Sequence, residues 1–496
     1  MQLLPGRRLR IAIVGGGIGG LTCAATLRDC TDIEIDLFEA AAKFTAIGAG
    51  IVTWPRTWAV FEALGLNKEM LEKMKRLDSV EEGFPAWEFR LSDAQKGKKV
   101  HELYYENATP TNLHRQQLLD LLLEHLPPHC QVHFGHRLVS CHEYEDTQGS
   151  GVELRFRNGV VRDKYDLVIG ADGLKSVVRQ AVIARESGLG VLPEEKVYTQ
   201  GDGVERLGKD GQCEVGKRND ILFTGQSAFR GLVPREKLAA LHPNHRVLRT
   251  STIYCGKSKH VVMYPINKGQ IVNIVAFFAD SQSGSPVILE TAGSSSPQNN
   301  RVPTEAVVGM YPGWEDEVVD VLKMLENATI WPIFDLQPLK TYVTPRIALL
   351  GDAAHSMSPH LGAGACTAIE DAYILGSLIS KARLTTPKDV KSVLDVYNSL
   401  RQPYGNEIMR WAREMGEYYE FDTPDVQVEV EECTKSKLVD EVNEEQLAVF
   451  RKGTEKYWSW PVREAGTIGE NLERAEKLLG EPAEDLNKAT VVRELI

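Results

Sequence analysis

The first forty residues constrain this chain more than any other stretch. Leu9-Arg-Ile-Ala-Ile-Val14 is a short apolar run that leads directly into Gly15-Gly-Gly-Ile-Gly-Gly20 and then Leu21-Thr-Cys-Ala-Ala-Thr-Leu-Arg28. That order predicts strand, glycine turn and helix. Ile33-Glu-Ile-Asp-Leu-Phe38 places Ile33, Ile35 and Leu37 on one face and ends on Glu39, so residues 1–40 read as one βαβ unit. In Gly15-x-Gly17-x-x-Gly20, Gly15 permits the tight turn, Gly17 lets a pyrophosphate approach the backbone, and Gly20 allows close helix–strand packing. The helix N-terminus offers free N–H groups and a positive dipole end to the diphosphate. Glu39, 19 residues after Gly20, is spaced to accept hydrogen bonds from an adenosine ribose. The same residues also read as a glycine-rich turn without a ligand, and Glu39 as a strand-end surface acid. Nicotinamide and flavin dinucleotides are not separated by this motif.

A chain of 496 residues exceeds a single small core and predicts two or more lobes. With 43% hydrophobic and 25% charged residues it has an ordinary globular composition. Its 57 basic against 69 acidic residues give a net charge of −12, which argues against nucleic acid or an anionic membrane surface as partner. No apolar run approaches the roughly 20 residues needed to span a bilayer. Met1 to Arg10 holds no apolar signal region and no room for a transit peptide, and Glu494-Leu495-Ile496 is no peroxisomal address, so a cytoplasmic location is expected. The eight cysteines form no C-x-x-C pair, so neither zinc nor a disulfide framework is expected, and no metal site is assigned.

Further along, Leu113 to Leu126 has apolar residues at helical spacing. Asp166-Leu-Val-Ile-Gly170 is a buried-type strand running into Ala171-Asp172-Gly173. From about Phe223 to Phe278 strand-like segments follow one another without helices between, which predicts an antiparallel sheet. A Ser-, Gly- and Pro-rich loop covers Ser281–Pro303. The segment Asp422–Gln446 carries nine acids against two lysines and reads as a solvated linker or surface helix.

Arg346-Ile-Ala-Leu-Leu350 returns to the buried-strand style and leads into Gly351-Asp352-Ala-Ala-His355, then Ser358-Pro359-His-Leu-Gly362-Ala-Gly364-Ala365-Cys366. An aspartate at a strand end can hold a polyol hydroxyl, and free N–H groups at a helix start can stabilise negative charge on a heterocycle. This pattern, paired with the N-terminal glycine motif, resembles the FAD-dependent aromatic monooxygenases of the salicylate-hydroxylase and 4-hydroxybenzoate-hydroxylase type. Three further stretches match in order. Asp166 to Arg179, with Asp172-Gly173, is similar to the family's Asp-Gly motif, tied there to both FAD and NAD(P)H. His114-Arg115-x-x-Leu118 is similar to the segment whose arginine approaches the flavin side chain. Ala46-Ile-Gly-Ala-Gly50-Ile51-Val52 matches a loop passing near the isoalloxazine.

The resemblance implies an α/β fold: a Rossmann-like FAD-binding domain, an antiparallel-sheet substrate domain and a helical C-terminal region. The expected division is 1–195 and 326–410 for the FAD-binding domain, with a small insertion around 80–105, then 196–325 for the substrate domain and 411–496 for the extension. It implies cofactor contacts at Gly15, Gly17, Gly20, Glu39, Val52, Arg115, Asp172, Asp352, Gly364 and Ala365. One complete dinucleotide fingerprint suits a single non-covalent FAD with visiting NADH or NADPH, since no cysteine or histidine lies in a matching attachment motif. The implied activity is insertion of one oxygen atom into a phenol or hydroxybenzoate through a flavin C4a-hydroperoxide. The partners would be NAD(P)H, O₂ and a small aromatic substrate, and the protein a monomer or homodimer. A same-fold oxidase or reductase, or a non-catalytic flavin-binding protein, would share most of these motifs.

The electrophilic oxygen requires an electron-rich ring, so a group that stabilises phenolate is needed. Arg230 lies among Ala228, Phe229, Leu232 and Val233, an apolar setting that rarely takes a charge without an anion. Arg230 reads as binding phenolate or carboxylate, with Tyr264 donating a second hydrogen bond, and the resemblance to fungal phenol monooxygenases implies such a role for an arginine and a tyrosine at these matching positions. The alternatives are a structural Arg–Asp bridge and a packing tyrosine. His355 reads as a structural hydrogen-bonder, and His260, four residues before Tyr264, as either a packed histidine or a proton relay. Trp458 and Trp460 read as packing anchors or as an aromatic wall over the site. Two departures from the family pattern are Pro55-Arg56-Thr57 in place of Pro-Asn-Ala, and Arg401-Gln-Pro403-Tyr404 in place of Arg-x-Pro-Arg.

Overall fold

The computed structural model describes residues 9–44, 50–66, 68, 85–105, 111–146, 149–188, 220–279, 300–382, 384, 387–426, 437–462 and 467–479. Residues 46–49 of the glycine loop and most of the Ser281–Pro303 loop lie outside them. So do 427–436, the middle of the acidic segment.

The N-terminal unit builds a five-stranded parallel sheet. Its order is Ile347–Leu349, Leu167–Gly170, Leu9–Val14, Ile33–Phe38 and Cys130–His133. Ile11 lies opposite Leu167 on one side and Ile35 on the other. Ile11, Ile13, Leu37, Val168 and Ile169 are buried, as the apolar runs of a sheet covered on both faces require. Helix Ile18–Thr26 packs on helix Gly364–Ala382, and a Cβ on Gly376 would come within 2.7 Å of the Thr26 side chain. A three-stranded antiparallel sheet (Leu138–Asp146, Gly149–Phe156, Val161–Tyr165) adjoins this lobe.

The second sheet has seven strands, in the order Thr329–Leu336, Ile221–Pro234, Ile271–Ala279, Lys259–Ile266, Ser251–Gly256, Trp87–Leu91 and Lys98–Leu103. It carries the expected antiparallel pairing and adds detail to it in three places. The segment expected as an insertion around 80–105 supplies two strands of this sheet. Trp87–Leu91 runs parallel to Ser251–Gly256, so an otherwise antiparallel sheet is mixed. Thr329–Leu336, expected in the returning FAD-binding part, is its edge. The physical reason is burial: all five residues of Trp87–Leu91 are buried, so the strand lacks the period-two alternation that marks a half-exposed strand.

The helix expected over Leu113 to Leu126 spans Arg115–Glu124. Thr111–His114 ahead of it is a strand paired antiparallel with Gly50–Thr53. Pro387–Tyr419 is one helix of 33 residues, so the expected boundary at 410 falls inside it. Helix Glu444–Tyr457 opens on a capping box between Asn443 and Gln446. Beyond it, Trp458 and Trp460 are buried against Trp54. Among the described residues no helix is long and apolar enough to cross a membrane, and no group of three or more His, Cys, Asp or Glu could hold a metal ion.

Candidate active site

A cavity of about 920 Å³ runs from the glycine turn of the first sheet to the face of the second. Gly15, at φ +110°, lies so close to the end of strand Leu167–Gly170 that a Cβ would fall 2.2 Å from the Ala171 carbonyl oxygen. Gly17 opens onto the cavity with nothing within 4 Å of its Cβ position. It caps helix Ile18–Thr26 without any side-chain hydrogen bond, leaving that helix start open to an anion. Gly20 packs against the Gly15 carbonyl, and a Cβ there would lie 2.0 Å from it. Glu39 lines the cavity and latches the turn: Gly16 N–H donates to its Oε2 at 2.9 Å, and Ala41 N–H to its Oε1 at 2.7 Å.

Asp172 also lines the cavity, but its carboxylate is committed to a helix start. It accepts from the Ser176 hydroxyl at 2.5 Å, Val177 N–H at 2.7 Å and Val178 N–H at 3.3 Å. Burial nevertheless raises its pKa. Asp352 is exposed to the cavity at the strand end and faces the helix start at Gly364, whose Cβ would lie 3.8 Å from Asp352 Oδ1. Val52, Arg115, Gly364 and Ala365 line the same space. Thus every residue named for the cofactor except Gly20 borders one cavity, and Gly20 supports it from behind. The open helix starts and the strand-end acids form a cradle whose chemistry fits FAD.

The second sheet supplies the cavity floor in register. One row crosses three neighbouring strands as Leu232, Asn273 and Tyr264; the next holds Arg230, Val275, Val262 and Ile253; a third holds Ala228, Phe277, His260 and Cys255. Tyr264 is buried and donates to the Gly50 carbonyl at 3.2 Å, with Trp87 edge-on at 6.1 Å. Burial drives its pKa up to about 12, against the pull of Arg230. Arg230 has a buried Nε without a hydrogen-bond partner among the described residues. Burial lowers its pKa, Tyr264 opposes that, and Arg115 adds repulsion. The Arg–Asp bridge that would make it structural is not formed among the described residues. Arg230 is a cation that borders the cavity.

His355 is buried, and its Nε2 lies 2.6 Å from Asp371, which also accepts from Gly351 N–H at 3.0 Å. Trp458 reaches the cavity from the C-terminal extension, and its indole N–H donates to the Tyr419 hydroxyl at 2.8 Å. Sequence reasoning missed Trp87, Asn273, Trp331 and His360, all of which line the cavity. Trp87, Asn273 and Trp331 carry no motif and only strand register brings them together, whereas His360 lies inside the Ser358–Cys366 stretch, where no role was assigned to it. It also missed that the two departures meet. Arg56 binds Glu370 through two hydrogen bonds of 3.0 and 3.1 Å, Arg401 binds Asp371 at 2.7 Å, and both guanidinium groups lie over the Tyr404 ring, at 5.2 and 4.5 Å.

Comparison with known proteins identifies the family. Residues 8–200 and 295–412 match the FAD-binding domain family. The chain is 31% identical to a salicylate hydroxylase of Pseudomonas putida over 425 residues, 84% of this chain and 86% of that one. It is 30% identical to a 6-methylsalicylate 1-monooxygenase of Aspergillus terreus, over 82% of each. A salicylate hydroxylase substrate complex superposes with a TM-score of 0.71 at 26% identity, covering 96% of this chain and 99% of that one. The chain therefore belongs to the FAD-dependent aromatic monooxygenases related to salicylate hydroxylase.

Proposed function

We propose that the enzyme hydroxylates a phenol held as phenolate by Arg230 and Tyr264 on the floor of the cavity. FAD would lie along the cradle, with its ribose at Glu39, its diphosphate at helix Ile18–Thr26, its side chain at Arg115 and Asp352, and its ring beside Val52, Gly364 and Ala365, while Asp172 braces the adjoining turn. Bound FAD, reduced by NADH or NADPH, supplies the activated oxygen. The protein supplies a charge partner for the ring oxygen and an apolar enclosure of Leu232, Ile253, Val262, Val275 and Phe277. The observation that carries this reading is the unpaired Arg230 beside Tyr264. Arg230→Ala should leave FAD content intact and cost about 2–4 kcal/mol in the barrier, or roughly 30- to 1,000-fold in rate. Tyr264→Phe should cost less. Normal turnover by Arg230→Ala, measured as substrate-stimulated NAD(P)H oxidation, overturns the assignment.

For the outcome, the names of the Pseudomonas and Aspergillus relatives favour a hydroxybenzoate. Attack at the carbon bearing its carboxylate needs no ring base, because loss of CO₂ restores aromaticity and leaves a catechol or hydroquinone. Release of label from carboxyl-labelled salicylate or 4-hydroxybenzoate tests it. The apolar side chains around Arg230 favour a second reading, an alkylated phenol converted to a dearomatised dienone, visible as a new absorbance. The fungal phenol-monooxygenase subgroup, a cytoplasmic location, the lack of a membrane or nucleic-acid partner and a monomeric or homodimeric state belong to the same proposal.

A further inference from the structure

The floor of the cavity carries an amide that neither the cofactor cradle nor the phenolate contact uses. Asn273 lies on strand Ile271–Ala279, opposite Leu232 on one neighbouring strand and Tyr264 on the other. It borders the cavity and is 4% exposed. The face around it is apolar, with Leu232, Val262, Val275 and Phe277 lining the same space. Among the described residues the amide has no hydrogen-bond partner, and its Nδ2 is sealed in the wall. An unpaired buried amide costs about 1–3 kcal/mol, a cost that an apolar side chain of similar size, such as leucine, would not carry. A polar group kept unpaired on the wall of a binding cavity calls for a partner that arrives with the ligand.

Strand register and amide orientation decide what that partner is. Val275 is opposite Arg230, and Asn273 is opposite Leu232, two residues further along strand Ile221–Pro234. Arg230 and Asn273 are therefore diagonal neighbours on one face of the sheet, roughly 7–8 Å apart. That separation lets one aromatic ring touch both through substituents on non-adjacent carbons. With Nδ2 in the wall, the amide turns its carbonyl oxygen to the cavity, and that oxygen only accepts. An alkyl group there gives it nothing, a carboxylate repels it, and a ring hydroxyl donates to it. We propose that Asn273 is a specificity-determining residue that accepts a hydrogen bond from a second ring hydroxyl, so that the enzyme takes a 1,3-dihydric phenol of the resorcinol type, a role resting on the aromatic site proposed above. The 1,3 relation suits the chemistry. Two hydroxyls so placed push electron density onto the same ring carbons, those ortho or para to both, and an electrophilic oxygen needs such a carbon. Two hydroxyls in a 1,4 relation enrich different carbons. The hydroxyl at Asn273 keeps its proton, because a neutral amide oxygen does not stabilise an anion, and the one at Arg230 is the phenolate. The two contacts therefore give the ring one orientation in the cavity.

The test reads binding rather than turnover. Oxidised holoenzyme without NAD(P)H is titrated with aromatic probes while the flavin spectrum reports occupancy. The probes are resorcinol, 3-methoxyphenol, 3-methylphenol and 3-hydroxybenzoate, which place at one ring position a donor, an acceptor without a donor, an apolar group and an anion. A site built around a substrate hydroxyl rejects analogues that lack it. The wild type should therefore bind resorcinol at least tenfold more tightly than each of the other three. Asn273→Leu should lose that preference and bind 3-methylphenol at least as tightly as resorcinol, with FAD content near that of the wild type. Asn273→Ala should lose the same preference and replaces the leucine variant if that one fails to fold. Equal affinity of the wild type for resorcinol and 3-methoxyphenol overturns the proposal. So does tighter binding of 3-methoxyphenol or 3-hydroxybenzoate, the signature of an amide turned to present N–H. A preference for resorcinol that survives in both variants overturns the role of Asn273. A wild type whose flavin senses none of the probes overturns the aromatic site itself. Arg230→Ala should weaken all four probes alike, which separates that reading from Asn273, whose loss changes only their ranking.

Discussion

At the scale of single residues, the site depends on backbone positions that leave room for side chains arriving from elsewhere. Gly50 accepts the Tyr264 hydroxyl through its carbonyl, and a Cβ on it would come within 2.7 Å of Tyr264 Cε2 and 2.8 Å of Ile266 Cγ2. Both neighbours belong to a packed sheet that yields little. Gly50→Ala should therefore displace the phenol ring of Tyr264, at a cost of about 1–3 kcal/mol. Titration of the flavin spectrum with an aromatic ligand should show weaker binding, while FAD content stays near that of the wild type. Glu39 carries a double duty of another kind. Its carboxylate faces the proposed ribose and also receives two N–H groups that close the glycine turn. Glu39→Ala should weaken FAD by roughly 1–3 kcal/mol, read from the free FAD released at equilibrium. Glu39→Gln should fall between the two, because the amide oxygen accepts only one of the two N–H groups.

At the scale of elements, four segments on and behind the cofactor cradle meet on one buried ionic cluster. Arg56 comes from helix Pro55–Ala63, which follows the Val52 strand, and Glu370 and Asp371 come from the helix that starts at Gly364. Arg401 comes from helix Pro387–Tyr419, and His355 from the turn that presents Asp352. Removing one partner from such a cluster strands a buried charge, so Arg401→Met should destabilise by about 3–5 kcal/mol in urea unfolding. The pH dependence follows from Asp371, which Arg401 and His355 hold down to about 2 despite its burial. A carboxylate with a depressed folded value contributes stability above its unfolded value, near 4, and loses it as pH falls toward about 2. Glu420 has the opposite sign. Its folded value is raised to about 8, so its contribution is full below about 4 and lost as pH climbs through 8. Glu420→Gln should therefore unfold at higher urea than the wild type at pH 8.5, by an amount on the order of 1–3 kcal/mol, with the gap closing near pH 5.

At the scale of the whole molecule, the parts legible in the sequence are those where one local segment carries both its structure and its chemistry. Gly15, Gly17 and Gly20 announce a strand–turn–helix because the turn itself forces their spacing, and Gly351-Asp352 does the same at the returning strand. What stayed hidden depends on chain segments far apart. Trp87–Leu91 is buried throughout and pairs with a strand some 160 residues later, so nothing local marks it as sheet. Arg56 and Tyr404 read separately as departures, although each makes sense only beside the other. Trp458 is a different case: the sequence leaves it either a packing anchor or an aromatic wall over the site, and its indole borders the cavity. It packs on Trp87 at 5.2 Å and on Trp54 at 5.8 Å, and holds the Tyr419 hydroxyl. The extension therefore closes the aromatic end of a site whose cofactor end belongs to the first sheet. Trp458→Ala removes that closure without touching the cradle for FAD. Truncating a buried Trp costs about 3–5 kcal/mol of stability, so the variant should melt earlier yet still bind FAD at low temperature. The space left by the indole admits water beside the substrate, and water exclusion is what protects a reactive oxygen species from wasteful release. The expected result is uncoupling: NAD(P)H consumption continues, a larger share of the oxygen appears as hydrogen peroxide, and the hydroxylated product falls. Full coupling in Trp458→Ala, measured as product formed per NAD(P)H consumed, would show that the extension is only a packing anchor.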